Sequence, residues 1–405
     1  MPVAVRVLNW NIQNFGPTKS GVKRGNLDVV KALAKVVHGA SPPIDIFVML
    51  ELNTTVDATA VSVATMMQQA LAANGGGNWQ HCILSPNTGL EYYAFFIRDI
   101  AKTVPMTITG PVVNGYKPVV LGGDDVAVTA GEFTAYTTAG VPSPSAVYFP
   151  FIQPDLRRDV RLRTFPTWTS RLPVLAPFYI PGASGANRLF PIVACHFSAN
   201  LFQAAAQLDL LQYFSLLRYL APGTPGPIAL RVKPPGAAMA AATTNSVVLL
   251  GDFNVDWLAS PNAYAPLTTT LGATAGINDT THLVTYSNYS PRVQKTTAEL
   301  AVNAYDNIFW RLYQNSPVAA AITSRAVYNV PEAVRQRFVT LSESVDYYAE
   351  LDQRGFTSSA YTPFAQDFAN QLAGDKSNYI NVTGSLVGGR LLSDHLPVFT
   401  EITLA

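Results

Sequence analysis

The chain has 405 residues, of which 48% are hydrophobic, 11% aromatic and only 13% charged, a composition that excludes an intrinsically disordered protein. The 27 basic and 26 acidic residues leave a net charge of +1, which excludes a polybasic nucleic-acid binder but allows a local positive groove. The two cysteines, Cys82 and Cys195, exclude a disulfide-rich scaffold and a cysteine-rich zinc module. Their apolar surroundings favour two buried thiols, while a single bridge remains open.

The N-terminal segment has no basic region followed by a long apolar block, which is the pattern of a signal peptide. No apolar run reaches about 18 residues, the length that a membrane-spanning helix requires. We therefore expect neither feature, and the localisation stays unknown, with the cytoplasm as the default.

Alternation of Val3, Val5 and Val7 with more polar residues predicts a first β-strand that ends where polar residues begin, at 9–11. Apolar positions at helical spacing predict helices over 27–38, 55–73 and 201–220. Short apolar runs bounded by turn residues predict further strands over 44–50, 91–97, 172–180, 190–197, 246–253, 305–311 and 396–404.

Long irregular segments interrupt this pattern near 101–160, 221–245 and 312–390. Loops of this length are usually functional or carry local structure of their own. Because strands and helices are spread over the whole chain, we predict a single catalytic domain over 1–405 with three insertions. A separate domain at 312–390 is the alternative.

Polar and acidic residues recur at the ends of the predicted strands, where a rigid scaffold can present them to a shared crevice. Any one of them has a structural explanation as a turn or cap residue. Together they suit phosphoester hydrolysis, which needs a base for water, a cation for the phosphorane and electrostatic help for the leaving oxygen. The residues are Asn11, Glu51, His196, Asp252, Asn254, Asp306, Asp394 and His395.

Six motifs follow one another in a characteristic order. They are NWNIQNF (9–15), LE (50–51), CHFS (195–198), GDFN (251–254), YDNI (305–308) and SDHLPV (393–398). In this order the chain resembles the endonuclease/exonuclease/phosphatase superfamily, of which deoxyribonuclease I is a member. The resemblance implies an α/β (α+β) four-layer sandwich, in which two mostly antiparallel β-sheets pack face to face with helices outside.

The same resemblance implies a metal site. Asn11, Glu51 and Asp394 match the metal-binding positions, with Glu51 as the principal ligand of Mg²⁺ and with Mn²⁺ as a possible substitute. Hard oxygen ligands of this kind suit Mg²⁺. Position 13, where some branches place a second acidic ligand, is Gln13, which favours one ion over two.

The resemblance also implies the catalytic roles. Asp252 and Asn254 would orient the attacking water or contact the scissile phosphate, with Asp252 as a candidate base. His395 would contact the phosphate, paired with Asp306. Histidines beside carboxylates suit proton transfer.

A second histidine and its partners complete the set that the resemblance implies. His196 matches the second histidine of the deoxyribonuclease I branch, and Glu91 matches the carboxylate that pairs with it. Arg171 matches a basic residue that contacts substrate phosphate. His38, His81 and His282 lie outside the motifs and are expected to be non-catalytic, while Asp256 and Trp257 are expected either to line the crevice or to cap a turn.

We therefore predict a Mg²⁺-dependent phosphodiester hydrolase, foremost an endonuclease that cleaves DNA, with nucleic acid as its partner and no protein partner inferred. A sphingomyelinase-like enzyme is the alternative, as is a phosphoinositide-type phosphoesterase, which Val255, Asp256 and Asn307 disfavour. A non-catalytic binding module is the alternative of another class. The basic cluster 157–163 predicts a positive groove for DNA, and 141–151 is the candidate for docking on membrane lipid, which is less favoured.

Overall fold

The fold comes from a computed structural model. The structure describes residues 3–21, 23–24, 27–39, 43–54, 56–84, 91–99, 102–105, 107–108, 118–119, 171, 173–180, 183, 189–211, 228–233, 240–244, 246–283, 301–312, 321–328, 393 and 395–404. The predicted basic cluster at 157–163, the predicted docking segment 141–151 and Asp394 lie outside these residues.

Strands dominate the described part of the chain. In chain order they are β1 (Val3–Phe15), β2 (Lys23–Arg24), β3 (Leu27–Asp28), β4 (Ile46–Asn53), β5 (Gln80–Leu84), β6 (Glu91–Ile97), β7 (Val104–Pro105), β8 (Thr107–Ile108), β9 (Pro118–Val119), β10 (Val174–Tyr179), β11 (Leu189–His196), β12 (Ile228–Lys233), β13 (Ala240–Thr244), β14 (Ser246–Asp252), β15 (Thr274–Ala275), β16 (His282–Leu283), β17 (Ala301–Asn303), β18 (Asp306–Leu312), β19 (Ala321–Val327) and β20 (Val398–Leu404). The helices are α1 (Pro17–Ser20), α2 (Val29–Gly39), α3 (Asp57–Gly75) and α4 (Leu201–Leu210), with a 3₁₀ turn at Pro261–Tyr264 and a π turn at Pro266–Thr270. Of the helices described here, none has the length and hydropathy needed to cross a membrane.

Two large sheets carry the fold. The first has the order β19-β20-β1-β4-β6-β5-β9 and the second the order β15-β18-β14-β11-β10-β7. Neighbouring strands run antiparallel, except that β1 pairs with β4 and β11 pairs with β14 in parallel. The described part of each sheet therefore contains one parallel pair.

The two sheets pack face to face because one row of alternating side chains on each is apolar. The shared core contains Val5 and Val48 from the first sheet and Ile192, Val248 and Ile308 from the second, all fully buried. Burial of such side chains stabilises the fold by about 1.5–3 kcal/mol each. The sheets therefore form the predicted sandwich.

Helical layers cover both outer faces. The helices α2 and α3 pack on the opposite face of the first sheet, where Leu33 and Met67 join a second core with Phe47 and Phe96. On the second sheet, α4 packs against the turn Pro261–Tyr264, and the Tyr264 ring stacks on Phe309 of β18 at 5.3 Å. The four-layer arrangement predicted from the resemblance is confirmed.

Several element boundaries differ from the sequence prediction. The first strand does not end at residues 9–11 but continues to Phe15, because the buried Phe15 resumes pairing with Leu52 after a register shift. Helix α2 begins at Val29, since 27–28 form a short strand. The segment 221–245, predicted as a loop, contains the paired strands β12 and β13. Within 312–390, β19 extends the first sheet beside β20.

The two cysteines are free, buried thiols, as the sequence favoured. Burial raises the pKa of the Cys82 thiol to about 12 and raises that of Cys195 further. No bridge joins them.

Candidate active site

The described part of each large sheet has one parallel strand pair, and both pairs place site residues at the same edge of the sandwich. The carboxyl ends of parallel strands lie side by side, so residues that follow them converge. Asn11 and Glu51 come from β1 and β4, while His196 pairs in register with Asp252 across β11 and β14.

The antiparallel neighbours of these pairs complete the site from the same edge, because an antiparallel strand begins where its neighbour ends. Glu91 is the first residue of β6, and Asp306 is the first residue of β18. His395 lies three residues before β20, which begins at Val398. Because side chains alternate between the two faces of a strand, a polar residue at the end of a strand can continue the row of buried core residues.

Asp252 is the centre of the assembled site. Its side chain is almost fully buried, and its Oδ2 accepts hydrogen bonds from Asn11 Nδ2 at 2.9 Å and Asn254 Nδ2 at 3.2 Å. The Nε2 atoms of His395 and His196 lie 3.6 and 3.7 Å from the same oxygen. One carboxylate oxygen thus faces two imidazoles and two amides.

His395 is held by a buried acid and by backbone contacts. Its Nδ1 lies 2.7 Å from Asp306 Oδ2, which leaves Nε2 directed to Asp252. The Trp10 indole donates to the His395 carbonyl at 2.7 Å, and the His395 amide donates to Ser393 Oγ at 3.0 Å. These bonds fix both the backbone and the ring.

His196 is held in the same way by Glu91. Its Nδ1 lies 2.5 Å from Glu91 Oε1, and its Nε2 lies 3.4 Å from Glu51 Oε1. Arg171 closes the cluster, with its Nε 3.3 Å from Glu91 Oε2 and a terminal nitrogen 3.0 Å from His196 Nε2. The same guanidinium nitrogen donates to the Phe197 carbonyl at 2.8 Å.

Opposing effects act on the pKa of His196. Burial lowers the pKa of His196, but the surrounding carboxylates, Glu91 foremost, outweigh burial and the net shift is upward. The Arg171 hydrogen bond opposes this shift, since it forms only when His196 Nε2 carries no proton.

The two aspartates shift in opposite directions. Burial raises the pKa of Asp252, but His395 and His196 outweigh burial, so the pKa of Asp252 is lowered. Burial raises the pKa of Asp306, and for this carboxyl the effect of burial prevails over that of His395. Asp252 is therefore the group that stays charged most readily.

Glu51 and Asn11 provide the oxygen donors that suit a hard divalent cation. Glu51 is partly exposed, with Oε1 accepting from Asn11 Nδ2 at 3.1 Å and Oε2 accepting from the Asn14 amide at 2.7 Å. These bonds preorganise the carboxylate at the mouth of the crevice, and the donor set fits Mg²⁺ or Mn²⁺.

A second group, Asp252, Asp306 and His395, has ligand atoms within 4.8 Å of one another. This group offers a nitrogen, and its Asp306 Oδ2 already accepts from His395. We therefore interpret it as the histidine–acid pair facing Asp252 rather than as the ion site.

Backbone strain is concentrated at the site. Positive φ angles occur at Glu51 (60°), Arg171 (56°) and Asn254 (50°), and at Gln13 and Asn14 beside them. Such conformations cost of order 1–3 kcal/mol each and persist where the surrounding structure imposes them. In the described residues, every non-glycine residue with positive φ lies at this edge of the sandwich.

The structure brings together the predicted site residues within the described chain, and it adds residues that no sequence pattern singled out. Thr281 is fully buried, and its Oγ1 accepts from the Asp306 amide at 2.9 Å. The carbonyl of Thr281 accepts from the Leu396 amide at 2.6 Å. The His282 ring, set aside from the sequence, packs edge-on against His395 with centroids 4.7 Å apart. This segment therefore joins the strand of Asp306 to the segment of His395.

Other polar residues near the motifs have structural roles. Asp256 caps a turn, because its Oδ1 accepts from the amides of Leu258 and Ala259 at 3.0 and 3.1 Å. His81 lies 2.5 Å from Gln68 Oε1 on the helix-covered side of the first sheet. Asp394, the third predicted metal ligand, lies outside the described residues.

Comparison with known proteins finds no matching family model and no matching curated protein. Among solved structures, the chain is similar to an endonuclease/exonuclease/phosphatase family protein from Bacteroides thetaiotaomicron, with 14% identity, coverage of 100% of this chain and 99% of that chain, and a TM-score of 0.42. It is similar to D. rerio TDP2 complexed with single strand DNA product, with 10% identity, coverage of 98% of both chains and a TM-score of 0.43. It is also similar to an endonuclease/exonuclease/phosphatase family protein from Leptotrichia buccalis, with 10% identity, coverage of 98% and 99%, and a TM-score of 0.41.

Proposed function

We propose that the protein is a divalent-metal-dependent phosphodiesterase that cleaves DNA internally. The observation that carries the proposal is the position of Asp252 Oδ2, 3.6 and 3.7 Å from the Nε2 atoms of two histidines. Each histidine is backed by its own buried carboxylate, Asp306 or Glu91. Such an arrangement can orient a water molecule, accept its proton and place two imidazoles around a phosphate.

Asp252 suits the role of base. Its lowered pKa keeps it ionised at neutral pH, and Asn11 and Asn254 hold its Oδ2 by hydrogen bonds. A water molecule that donates to this carboxylate is oriented for attack on phosphorus, and its proton passes to Asp252 or to the imidazole beside it.

Arg171, His196 and His395 are suited to binding the phosphate. Arg171 stays charged at any physiological pH, and His196 gains a proton more readily than a free histidine because of its carboxylate neighbours. His395, supported by Asp306, can donate a hydrogen bond to a phosphate oxygen or to the leaving oxygen. These groups stabilise negative charge as it develops.

Glu51 and Asn11 would hold Mg²⁺ or Mn²⁺, and the resemblance adds Asp394 to this set. The ion would supply positive charge that polarises the phosphoryl group. Position 13 is Gln13 rather than an acid, which supports one ion at this site.

DNA as the substrate rests on charge, since the paired histidines suit a nuclease and a sphingomyelinase alike. The predicted arginine cluster at 157–163 precedes Arg171 in the chain, and phosphate contacts by arginine and lysine account for most of the affinity for nucleic acid. A phosphodiester is shared by sphingomyelin, so a lipid phosphodiesterase is an outcome of the test below.

The test is nicking of a supercoiled plasmid in Mg²⁺ by the wild type, by His395→Ala and by the wild type with EDTA. We expect nicking by the wild type alone. The control is His81→Ala, because His81 is half-buried and hydrogen-bonds to Gln68 of α3, away from the site around Asp252, and this variant should nick as the wild type does.

Intact plasmid with the wild type would overturn DNA cleavage. Sphingomyelin vesicles and inositol phosphates are then the next substrates, with the same variants. Calorimetric titration of Mn²⁺ tests the ion separately: Glu51→Gln should lose binding, and unchanged binding would show that Glu51 does not hold the ion.

A further inference from the structure

In the described part of the chain, four large hydrophobic side chains are exposed in segments that follow strands of the site. These are Val56, Leu201, Phe202 and Leu258, which are 52%, 63%, 78% and 48% exposed. Each follows the end of a strand that carries a site residue: Val56 follows β4, Leu201 and Phe202 follow β11, and Leu258 follows β14. The exposed apolar residues therefore lie in segments that begin near the proposed active site.

Phe202, the most exposed of the four, stands on rigid backbone. It belongs to the first turn of α4, where Asn200 Oδ1 accepts from the amides of Phe202 and Gln203 at 3.1 and 3.2 Å. Gln207 Oε1 accepts from the Ser198 amide at 2.8 Å and ties the helix back to the segment before it. The exposed ring is thus held in place without being covered.

The same segment contacts the site directly. The carbonyl of Phe197, next to His196, accepts from Asn254 Nδ2 at 3.0 Å and from Arg171 at 2.8 Å. Phe202 lies five positions after Phe197 in the chain, so their Cα atoms are at most about 18 Å apart. Helix α4 also packs on the turn Pro261–Tyr264, which follows Leu258 in the chain.

The polar residues next to Phe202 in the chain are uncharged. Ser198, Asn200 and Gln203 surround it in the chain and offer hydroxyl and amide groups. A surface of this composition does not attract phosphates, which are bound by arginine, lysine and helix ends with free amides. An exposed aromatic ring with amide neighbours suits an unpaired nucleobase, which stacks on the ring and forms hydrogen bonds along its edge.

We propose that Phe202 is a stacking platform for an unpaired base that flanks the scissile phosphate. The site therefore favours single-stranded or locally unpaired nucleic acid over a fully paired duplex. This inference rests on the proposed phosphodiesterase function and extends it from the phosphate to the base.

The test compares two oligonucleotides of equal length, one of thymidine nucleotides and one with abasic sugars at every position. Both present the same phosphodiesters, but only the first has bases to stack. We expect Phe202→Ala to raise KM for the thymidine oligonucleotide about 5- to 100-fold and to leave KM for the abasic one unchanged. Phe202→Trp should behave as the wild type.

Phe202→Leu separates stacking from general hydrophobic contact. It keeps an apolar side chain but has no aromatic face, so it should resemble Phe202→Ala on the thymidine oligonucleotide. Because Phe202 is largely exposed, all three variants should unfold at the temperature of the wild type.

The results distinguish failure of the proposed function from failure of the stacking platform. If the wild type cleaves neither oligonucleotide, the proposed function fails and this inference fails with it. If the wild type cleaves both oligonucleotides and Phe202→Ala has the KM of the wild type for each of them, only the stacking platform is overturned. If Phe202→Leu keeps wild-type behaviour while Phe202→Ala loses binding to phosphatidylcholine–sphingomyelin vesicles, the surface docks on lipid and the base-stacking assignment is wrong.

Discussion

Replacing Asp306 with asparagine should separate activity from stability. Asp306 is fully buried, and its Oδ2 lies 2.7 Å from His395 Nδ1. Asparagine has the same shape but no charge, so the imidazolium form of His395 loses its counter-charge. At about 4 Å between charge centres and an effective dielectric constant of about 20, that attraction is about 4 kcal/mol. We therefore expect the rate of diester hydrolysis to fall about 10³-fold.

The stability of the same variant should not fall at neutral pH. Burial raises the pKa of Asp306 above its ordinary value of 3.8, so the folded state binds this proton more tightly than the unfolded state. The contribution of Asp306 to the free energy of unfolding therefore decreases as pH rises from about 3.8 through the folded pKa. Asp306→Asn removes this dependence on pH. The free energy of unfolding of the variant, relative to that of the wild type, should therefore increase as pH rises to the folded pKa of Asp306 and stay constant above it.

Initial rates at saturating Mg²⁺ and thermal unfolding at pH 4, 5.5 and 8 measure both effects. The matched control is Asp256→Asn, because Asp256 is a turn-capping carboxylate outside the reaction, and its rate should stay within about threefold of the wild type. A rate for Asp306→Asn within tenfold of the wild type would refute the role of the buried acid. A large loss of thermal stability at pH 8 would refute the electrostatic reasoning.

Three further predictions concern separate features. Gly251 has φ +145°, and a Cβ there would overlap the Cys195 carbonyl; Gly251→Ala should cost at least about 3 kcal/mol in urea unfolding, and an unchanged midpoint would contradict this. Native Cys82 and Cys195 should resist iodoacetamide at pH 8 because burial raises both thiol pKa values; rapid labelling seen by mass spectrometry would show otherwise. His282→Ala should lower kcat with little change in KM, since the His282 ring packs against His395; a change in KM alone would assign His282 to substrate binding.

Much of the fold follows from local pattern. The run Ser246–Asp252 is apolar, short and followed by turn residues, and it forms a central strand almost as predicted. The same holds for Glu91–Ile97, where each face of the strand is buried against a different core. Because the inward row of each strand ends in a polar residue, the predicted site residues could be identified before their distances were known.

The features that were not predicted depend on pairing between distant segments. β12 and β13 pair within a segment whose Pro, Gly and Ala residues indicate a loop. The contact of His282 with His395 is set by a bridge between short segments without periodicity. The extension of β1 to Phe15 depends on a register shift against β4. Local propensity does not specify such partners.

The hydrogen bond between Ser393 Oγ and the Asn11 carbonyl joins residues 382 positions apart. β20 lies between β19 and β1 in the first sheet, so this part of the sheet stays incomplete until β20 has been synthesised. Contacts of such sequence separation form slowly, because a long loop must close first. The nascent chain therefore lacks this bond between the segment of His395 and β1 until Ser393 has been synthesised. We expect the site around Asp252 to assemble only after β20 has entered the sheet.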